Sequence, residues 1–223
     1  MKKILSLTLA AAALSTAADA KAFNGLFAGV DFGLSSMNVN FKGASADRIA
    51  VDNIRGTANR PNLGIFLGYN KVFTNCLTLG GVFTSDFQLA GVKPIQKGDH
   101  NAISHKRDTF SWGVVATVGA LVNPKSMVFV GLGVKSLNNK VVYIEPNPKR
   151  NFTIKNNKVR FTSLIGHETL LANDKIGLRV TYGFTPGSSK SKSNIPVGSH
   201  YYPGSTGFKA HEHQVKLGMS YRF

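Results

Sequence analysis

The six histidines of this 223-residue chain are its side chains best suited to acid–base chemistry: His100, His105, His167, His200, His211 and His213. A nucleophile is activated by a base that lies on the same face of its element, within hydrogen-bond reach. Only His167 falls within a clear strand pattern, and the neighbouring Glu168 points to the opposite strand face. The other five lie in or beside predicted connectors, and no His-x-Ser pair shares a face. The sequence therefore predicts a protein without enzymatic activity.

Two short motifs suggest a metal or a nucleotide, and neither is complete. His211 and His213 share a strand face with Glu212 opposite, which supplies two ligands where a metal site needs three or four. Gly131-x-Gly133 lacks the third glycine of a dinucleotide loop and does not open a helix. No cofactor and no metal ion are expected.

The composition points instead to a basic, β-rich protein. Lys and Arg number 27 against 11 Asp and Glu, for a net charge of +16, and the single cysteine excludes a disulfide framework. Only 17% of residues are charged, below the ~25% of an average soluble domain, while glycine is abundant at 23 residues. Segment 138–158 holds five basic residues against one acidic, and segment 185–210 holds three against none. Such a surface attracts polyanions.

The N-terminus resembles a bacterial secretory signal peptide. Lys2 and Lys3 precede an apolar run from Ile4 to Leu14, and Ala18-Asp19-Ala20 is a small-x-small cleavage site. Cleavage after Ala20 would leave residues 21–223 as the mature domain, and cleavage after Ala22 is the alternative. The apolar run is shorter than the ~20 residues needed for a membrane-spanning helix. The mature chain is therefore expected to be exported.

Alternation of apolar with small or polar residues is the strongest pattern in the mature chain, and it predicts eight strands. The alternating segments are Ala28 to Leu34, Leu63 to Tyr69, Leu77 to Leu89, Phe110 to Ala120, Val128 to Val134, Val159 to Leu170, Ile176 to Phe184 and His213 to Phe223. Leu164 breaks the alternation in the sixth segment. The connectors alternate in length: short at 70–75, 122–126 and 171–174, and long at 42–59, 90–108, 138–158 and 185–210.

Short turns at one end and long loops at the other are typical of outer-membrane barrels, in which the turns are periplasmic and the loops extracellular. The apolar face is bulky and includes Trp112 and Phe83, whereas the other face is mostly Gly, Ser and Thr with charges of both signs. A soluble barrel would have its apolar face inward, but a narrow eight-stranded interior has little room for so many rings. We therefore expect an all-β, eight-stranded antiparallel up-and-down transmembrane barrel whose apolar face contacts lipid.

Charged residues on the polar face would then line the lumen. Buried charges need partners of opposite sign, so a mixed-sign network is expected there. The turn at 171–174 should bring Glu168 and Arg179 close together on a diagonal. The predicted network consists of Asp31, Asp86, Lys135, Glu168, Arg179, Lys216 and Arg222.

The C-terminal segment resembles the assembly signal of bacterial outer-membrane barrels. Val215, Leu217, Met219, Tyr221 and Phe223 alternate with small or polar residues and end on a terminal aromatic residue. The segment Gly25-Leu26-Phe27-Ala28-Gly29-Val30-Asp31-Phe32-Gly33 is similar to the first strand of OmpA-like and opacity-type barrels, and Gly166 to Tyr182 resembles their penultimate hairpin. The resemblance implies insertion by the outer-membrane assembly machinery, for which Phe223 should be needed.

The sequence thus favours a monomeric outer-membrane barrel with a structural or adhesin-like surface role. Its basic loops would contact lipopolysaccharide or a host or environmental polyanion. The predicted basic patch comprises Lys149, Arg150, Lys155, Lys158, Lys190 and Lys192. The alternatives are a small porin that passes ions and, further off, a lipid-modifying outer-membrane enzyme.

Overall fold

The computed structural model describes residues 20–43, 54–74, 76–89, 93–97, 102–107, 110–145, 150–187, 189–197 and 200–223. These residues form eleven β-strands and two short 3-10 turns, at Ala20–Phe23 and Ala172–Asp174. The strands are β1 (Gly25–Gly43), β2 (Ile54–Thr74), β3 (Leu77–Gln88), β4 (Lys93–Lys97), β5 (Ala102–Arg107), β6 (Phe110–Asn123), β7 (Ser126–Glu145), β8 (Arg150–Leu170), β9 (Ile176–Thr185), β10 (Ser189–Val197) and β11 (His200–Arg222).

Eight of these strands close a barrel, which confirms the predicted fold class. Every pairing is antiparallel, in the order β1-β2-β3-β6-β7-β8-β9-β11, and β11 pairs back onto β1. The closing pair joins the first barrel strand to the last, since Phe27 lies opposite Arg222. Closure leaves the barrel without a free edge where the eight strands meet.

Strict alternation separates the two faces of the wall. In β6 the outward Val114 and Val118 are exposed, whereas the inward Ser111, Val115 and Thr117 are buried. The same division holds around the barrel, so large apolar side chains cover the outside while charged side chains are buried inside. No helix in the described residues is long and apolar enough to cross a membrane. The apolar belt is the surface that a bilayer core would cover.

The long connectors differ from the prediction of irregular loops, because much of their length is strand. β1 continues to Gly43 and β2 begins at Ile54, within the predicted connector 42–59. β4 and β5 form an antiparallel pair inside 90–108, and β5 also pairs with β7. β10 pairs with the outer part of β11 inside 185–210. Alternation did not reveal these strands, because their sequences lack a regular apolar–polar alternation.

The strands therefore extend well beyond a bilayer. β7 has 20 residues and β8 has 21, whereas about 9–11 residues suffice to span. At about 3.3 Å per residue and a tilt near 45°, each rises almost twice the ~25 Å of the apolar band. We call the end with the short turns the inner end and the end with the long connectors the outer end. The surplus strand length lies at the outer end.

Leu164 departs from the alternation because its inward side chain lies opposite a glycine. It is half-buried, and its Cγ would lie only 3.1 Å from a Cβ placed on Gly131 of the paired strand. The glycine therefore provides the space for an inward leucine.

At the inner end, Phe23 is fully buried beneath the barrel, where it packs with Leu121, Met127 and Leu170. This apolar cluster covers the inner mouth of the lumen.

A glycine on β2 marks how closely the interior is filled. A Cβ on the inward Gly64 would overlap the carboxylate of Asp31 and lie 2.9 Å from Oδ1 of Asp86. We expect Gly64→Ala to lower the free energy of unfolding by about 1–3 kcal/mol, the usual cost of overpacking. The measurement is a urea titration of the refolded barrel in lipid vesicles.

Gly81→Ala is the matched control, because Gly81 faces outward and the nearest atom to its added Cβ is 4.0 Å away. It should leave stability unchanged or raise it slightly, since glycine weakens a strand. Equal losses in the two variants would show that the interior is not tightly filled at Gly64.

Candidate functional site: the charged barrel interior

The described part of the interior buries ten charged side chains, six basic and four acidic. Their inward position follows from strand parity, since lipid covers the outer face and the lumen is the only place for charge. They comprise Asp31, Arg60, Asp86, Lys135, Arg160, Glu168, Arg179, Glu212, Lys216 and Arg222. All seven residues of the predicted lumen network are among them.

Asp86 is the centre of the outer group of charges. Its Oδ2 lies 2.8 Å from Nζ of Lys135, and its Oδ1 contacts Nζ of Lys216. Lys216 also lies 3.2 Å from Oδ1 of Asp31. Two carboxylates and two ammonium groups from four strands thus neutralise one another inside the barrel. We call this group, together with Glu212 and Gln214, the Asp86 cluster.

The Asp86 cluster continues toward the outer end through β11. Lys135 donates a hydrogen bond of 2.6 Å to Oε1 of Gln214, and Nε2 of Gln214 lies 3.3 Å from Oδ2 of Asp86. Nζ of Lys135 lies 3.7 Å from Oε2 of Glu212, whose Oε1 accepts a 2.7 Å hydrogen bond from the Ser35 hydroxyl. Gln214 and Ser35 were absent from the predicted network. Their inward strand parity was the available signal.

A second group of charges lies nearer the inner end. Arg222 Nη2 contacts Glu168 Oε1 at 2.8 Å, and the Ser220 hydroxyl donates to the same oxygen at 2.7 Å. Arg222 Nη1 also donates to the carbonyl oxygen of Phe23 at 3.1 Å, which ties the N-terminal turn to the last strand. The opposing Gly177 makes room, because a Cβ there would lie 2.7 Å from Glu168 Oε1. We call Glu168, Ser220 and Arg222 the Glu168 cluster.

Arg179 lies between the two clusters, and its position differs from the prediction. It pairs directly opposite Glu168 in the register rather than on a diagonal. Its guanidinium lies against phenylalanine rings, with Cζ 4.4 Å from the centroid of Phe129 and 5.0 Å from that of Phe66. Glu168 bonds Arg222 instead, because the register places Arg222 in reach of the same carboxylate. The inward rings of Phe27, Phe66 and Phe129 show that the lumen accommodates aromatic side chains as well as charges.

Two small cavities lie in the described part of the lumen. A cavity of about 60 Å³ borders the Asp86 cluster and Arg179, and another of about 10 Å³ lies toward Phe129 and Glu168. The buried charges and rings around these cavities suit a stabilising interior. No group of three or more His, Cys, Asp or Glu in the described residues could hold a metal ion.

The histidine pair on β11 forms an aromatic cluster at the outer part of the wall. The backbone N–H of Gly187 donates to His211 Nδ1 at 3.0 Å, and the Tyr182 hydroxyl lies 2.7 Å from His213 Nδ1. The ring of Phe184 stacks on that of His211 and lies 4.9 Å from that of His213. His211 therefore carries its proton on Nε2 when neutral, with its free lone pair already engaged, so it is not poised to bind a metal.

Several histidines lie in strands where the sequence predicted connectors or connector edges. His105 is in β5, and His200, His211 and His213 are in β11. His105 and His200 fell within predicted connectors because the outer strand extensions lack the alternation on which the prediction depended, whereas His213 begins the predicted last strand. His167 lies in β8 as predicted, on the exposed face opposite to the buried Glu168.

The predicted assembly signal forms the outward face of β11. Val215, Leu217, Met219, Tyr221 and Phe223 are all exposed, and the rings of Tyr221 and Phe223 meet edge to face. These side chains therefore belong to the apolar belt.

Most of the predicted basic patch lies on strands rather than in loops. Arg150, Lys155 and Lys158 are in β8, while Lys190 and Lys192 are in β10. Lys149 lies outside the described residues. Lys158 is exposed.

The register at the outer end aligns three lysines across three neighbouring strands. Lys106 of β5 pairs with Lys140 of β7, and Lys140 pairs in turn with Lys155 of β8. Positions paired in this way share one face of an antiparallel sheet. The sequence did not indicate this row, because β5 was not predicted and its pairing with β7 bypasses β6. We call these three positions the lysine row.

No protein-family model matches this chain, and no curated protein sequence matches it significantly. The chain is similar in structure to the outer membrane protein OprG from Pseudomonas aeruginosa, with a TM-score of 0.55, 10% identity, and coverage of 90% of this chain and 96% of that one. It also matches Ail of Yersinia pestis, solved with the heparin analogue sucrose octasulfate, at a TM-score of 0.44 and 13% identity, over 89% and 99% of the two chains. The outer membrane protease OmpT from Escherichia coli matches at a TM-score of 0.44 and 7% identity, over 90% and 97%.

At these identities the likeness shows the fold alone. The closed eight-stranded barrel, its apolar outer belt and its buried internal charges together define an integral β-barrel of the Gram-negative outer membrane.

The Asp86 cluster should be a main determinant of stability. We expect Asp86→Asn to lower the free energy of unfolding by about 3–5 kcal/mol, because two buried lysines would lose their shared carboxylate. Urea titration of the refolded barrel measures this, and the fluorescence of Trp112, which faces outward, reports the loss of the folded wall.

Asp174→Asn is the control, because it removes an exposed ion pair instead of a buried one. Asp174 lies 3.3 Å from Lys125 at the inner turns, and both side chains are about half exposed. Its loss should cost less than about 1 kcal/mol. A similar small cost for Asp86→Asn would contradict a structural role for the buried cluster.

Proposed function

We propose that this protein is a non-catalytic surface-interaction barrel of the OmpA-like or opacity type, whose basic outer strands contact polyanions. The observation that carries this proposal is the lysine row, Lys106, Lys140 and Lys155, on strands that extend beyond the membrane. Lipopolysaccharide, acidic glycans and nucleic acids present repeated negative charges at such a surface.

The lysine row is electrostatically unfavourable on its own. Like charges directly opposite on paired strands destabilise the pairing, by roughly 0.2–1 kcal/mol per pair. Neighbouring strands lie about 4.8 Å apart, so the three positions fall within about 10 Å of one another. A bound polyanion would neutralise this repulsion. The pairing of the three lysine positions, which lowers stability in the free protein, would then be favourable in the complex.

Further basic residues lie on the same strands and at the same end of the barrel. Arg150 lies on β8, Lys190 and Lys192 lie on β10, and Lys209 of β11 is exposed near the outer end. Acidic residues are few in these segments, since 185–210 contains none. The outer end therefore has a positive field with little internal neutralisation.

The proposal includes the route by which the chain reaches the outer membrane. Residues 1–20 would be removed as a signal peptide, with cleavage after Ala20 or Ala22. The terminal Phe223 would then be read by the assembly machinery. The buried Phe23 supports a mature N-terminus at or before this residue, because its ring packs beneath the lumen. The inserted protein would act as a monomer.

Retention on heparin tests the polyanion interaction. The triple variant Lys106→Gln, Lys140→Gln and Lys155→Gln should elute from heparin at clearly lower salt than the unchanged refolded barrel. The interaction should weaken as salt shortens the Debye length from ~10 Å at 0.1 M to ~3 Å at 1 M. The measurement is the salt concentration at elution.

The control triple removes the same charge from the opposite end. Lys71, Lys125 and Lys175 are exposed at or beside the inner turns, and their change to Gln should alter retention much less. If the two triple variants elute at the same salt concentration, retention depends on net charge alone and the lysine row has no special role. A binding assay on whole cells provides a second readout, because only the outer end is then accessible.

The alternative function is a small porin, and the filled lumen favours the non-conducting proposal. The Asp86 and Glu168 clusters occupy two successive levels of the interior, with Arg179 and its phenylalanine rings between them. Recordings in planar bilayers should therefore show no large, stable channel for the unchanged protein. Steady conductance that scales with ion concentration would establish the porin function instead.

A further inference from the structure

Arg179 is buried among aromatic rings rather than in an ion pair. Its side chain is only 6% exposed, and its Cζ lies 4.4, 5.0 and 5.9 Å from the ring centroids of Phe129, Phe66 and Phe27. Among the described residues, no carboxylate forms an ion pair with Arg179 and no acceptor bonds its guanidinium. Glu168 lies opposite in the register; its Oε1 is engaged by Arg222 and Ser220, and its Oε2 accepts no hydrogen bond.

The phenylalanine rings do not satisfy the hydrogen-bond donors of this guanidinium. A ring attracts the cation through its face, whereas the five N–H groups of arginine point outward in the guanidinium plane. Buried donors are almost always satisfied by protein, water or a ligand. The N–H groups of Arg179 must therefore be met from the space beside them.

The larger lumen cavity provides that space. It measures about 60 Å³, enough for about four water-sized occupants, and Arg179 forms part of its wall. Thr84 and Thr181 also line it, and neither hydroxyl bonds another side chain among the described residues. The second cavity, on the side of Glu168, is about 10 Å³ and has no room for more than one water.

The charges around this cavity favour an anion over a cation. Lys135 and Lys216 also line it, as do the carboxylates of Asp31 and Asp86. Those carboxylates already form ion pairs with the two lysines, whereas Arg179 forms none among the described residues. The described interior as a whole buries six basic and four acidic side chains, a positive surplus that a bound anion reduces.

We propose that this cavity binds one small monovalent anion, such as chloride, held by the guanidinium of Arg179 and the hydroxyls of Thr84 and Thr181. The volume admits an ion of that size with a few waters. A larger or divalent oxyanion is disfavoured, because it would approach the carboxylates of Asp31 and Asp86. This interior site is distinct from the outer lysine row and does not depend on the proposed surface function.

Chloride-35 NMR of the refolded full-length mature barrel in detergent tests the site. The unchanged protein should broaden the chloride line in a saturable way, and bromide should reverse the broadening by competition. Arg179→Met should weaken chloride binding by about tenfold or more, as expected when charge-assisted hydrogen bonds are lost. Arg179→Lys should retain part of it. Thermal unfolding in chloride against gluconate at equal ionic strength gives a second readout, since gluconate is too large to enter.

Arg222→Met is the matched control. Arg222 is likewise buried, and its Cζ lies 4.7 Å from the ring centroid of Phe23 and 5.1 Å from that of Phe27, but it is paired with Glu168 and lines neither cavity. It should keep the saturable chloride signal. If Arg179→Met fails to fold, Thr181→Val replaces it and should also weaken binding. Absence of saturable broadening in the unchanged protein, or equal broadening in all variants, would show that the cavity holds water only and would overturn the proposal.

Discussion

Asp86 accepts two lysines that arrive from different sides of the barrel, and much of the structure depends on this neutralisation. Lys135 comes from β7 and Lys216 from β11, while Asp86 itself lies on β3. A barrel with a lipid-facing wall can place charge only in its lumen, where an unpaired charge is very costly. The cluster thus crosses the interior and fixes the relation of strands that do not pair with one another. Inward glycines such as Gly64 leave the space that these charged side chains occupy.

The interior is organised in successive levels from the outer to the inner end. The Asp86 cluster comes first, then Arg179 with its phenylalanine rings, then the Glu168 cluster, and finally the apolar cluster around Phe23. Ion pairs hold the Asp86 and Glu168 clusters, cation–π contacts hold Arg179 between them, and apolar packing closes the inner end. Among the described residues, the cavities between these levels measure about 60 and 10 Å³.

At the outer end, strand pairing continues beyond the membrane. β5 pairs with the outer part of β7, and β10 pairs with the outer part of β11, so the sheet extends where irregular loops were expected. Backbone hydrogen bonds satisfy polar groups as well in water-exposed hairpins as in the membrane. Through the pairing of β5 with β7, the register brings the three positions of the lysine row into line.

The period-2 pattern determined, without any structure, the eight barrel strands, their outward faces and the inward position of the charged residues. It could do so because lipid and lumen impose opposite requirements on alternate residues, as in β6. Only the tertiary structure decided which charges meet. Parity placed Glu168 and Arg179 inside, but the partner of Glu168 is Arg222, from the last strand. The pairing of β5 with β7 and the isolation of Arg179 among three phenylalanines were equally beyond the sequence. Register and barrel closure set these contacts, and both depend on strands that lie far apart along the chain.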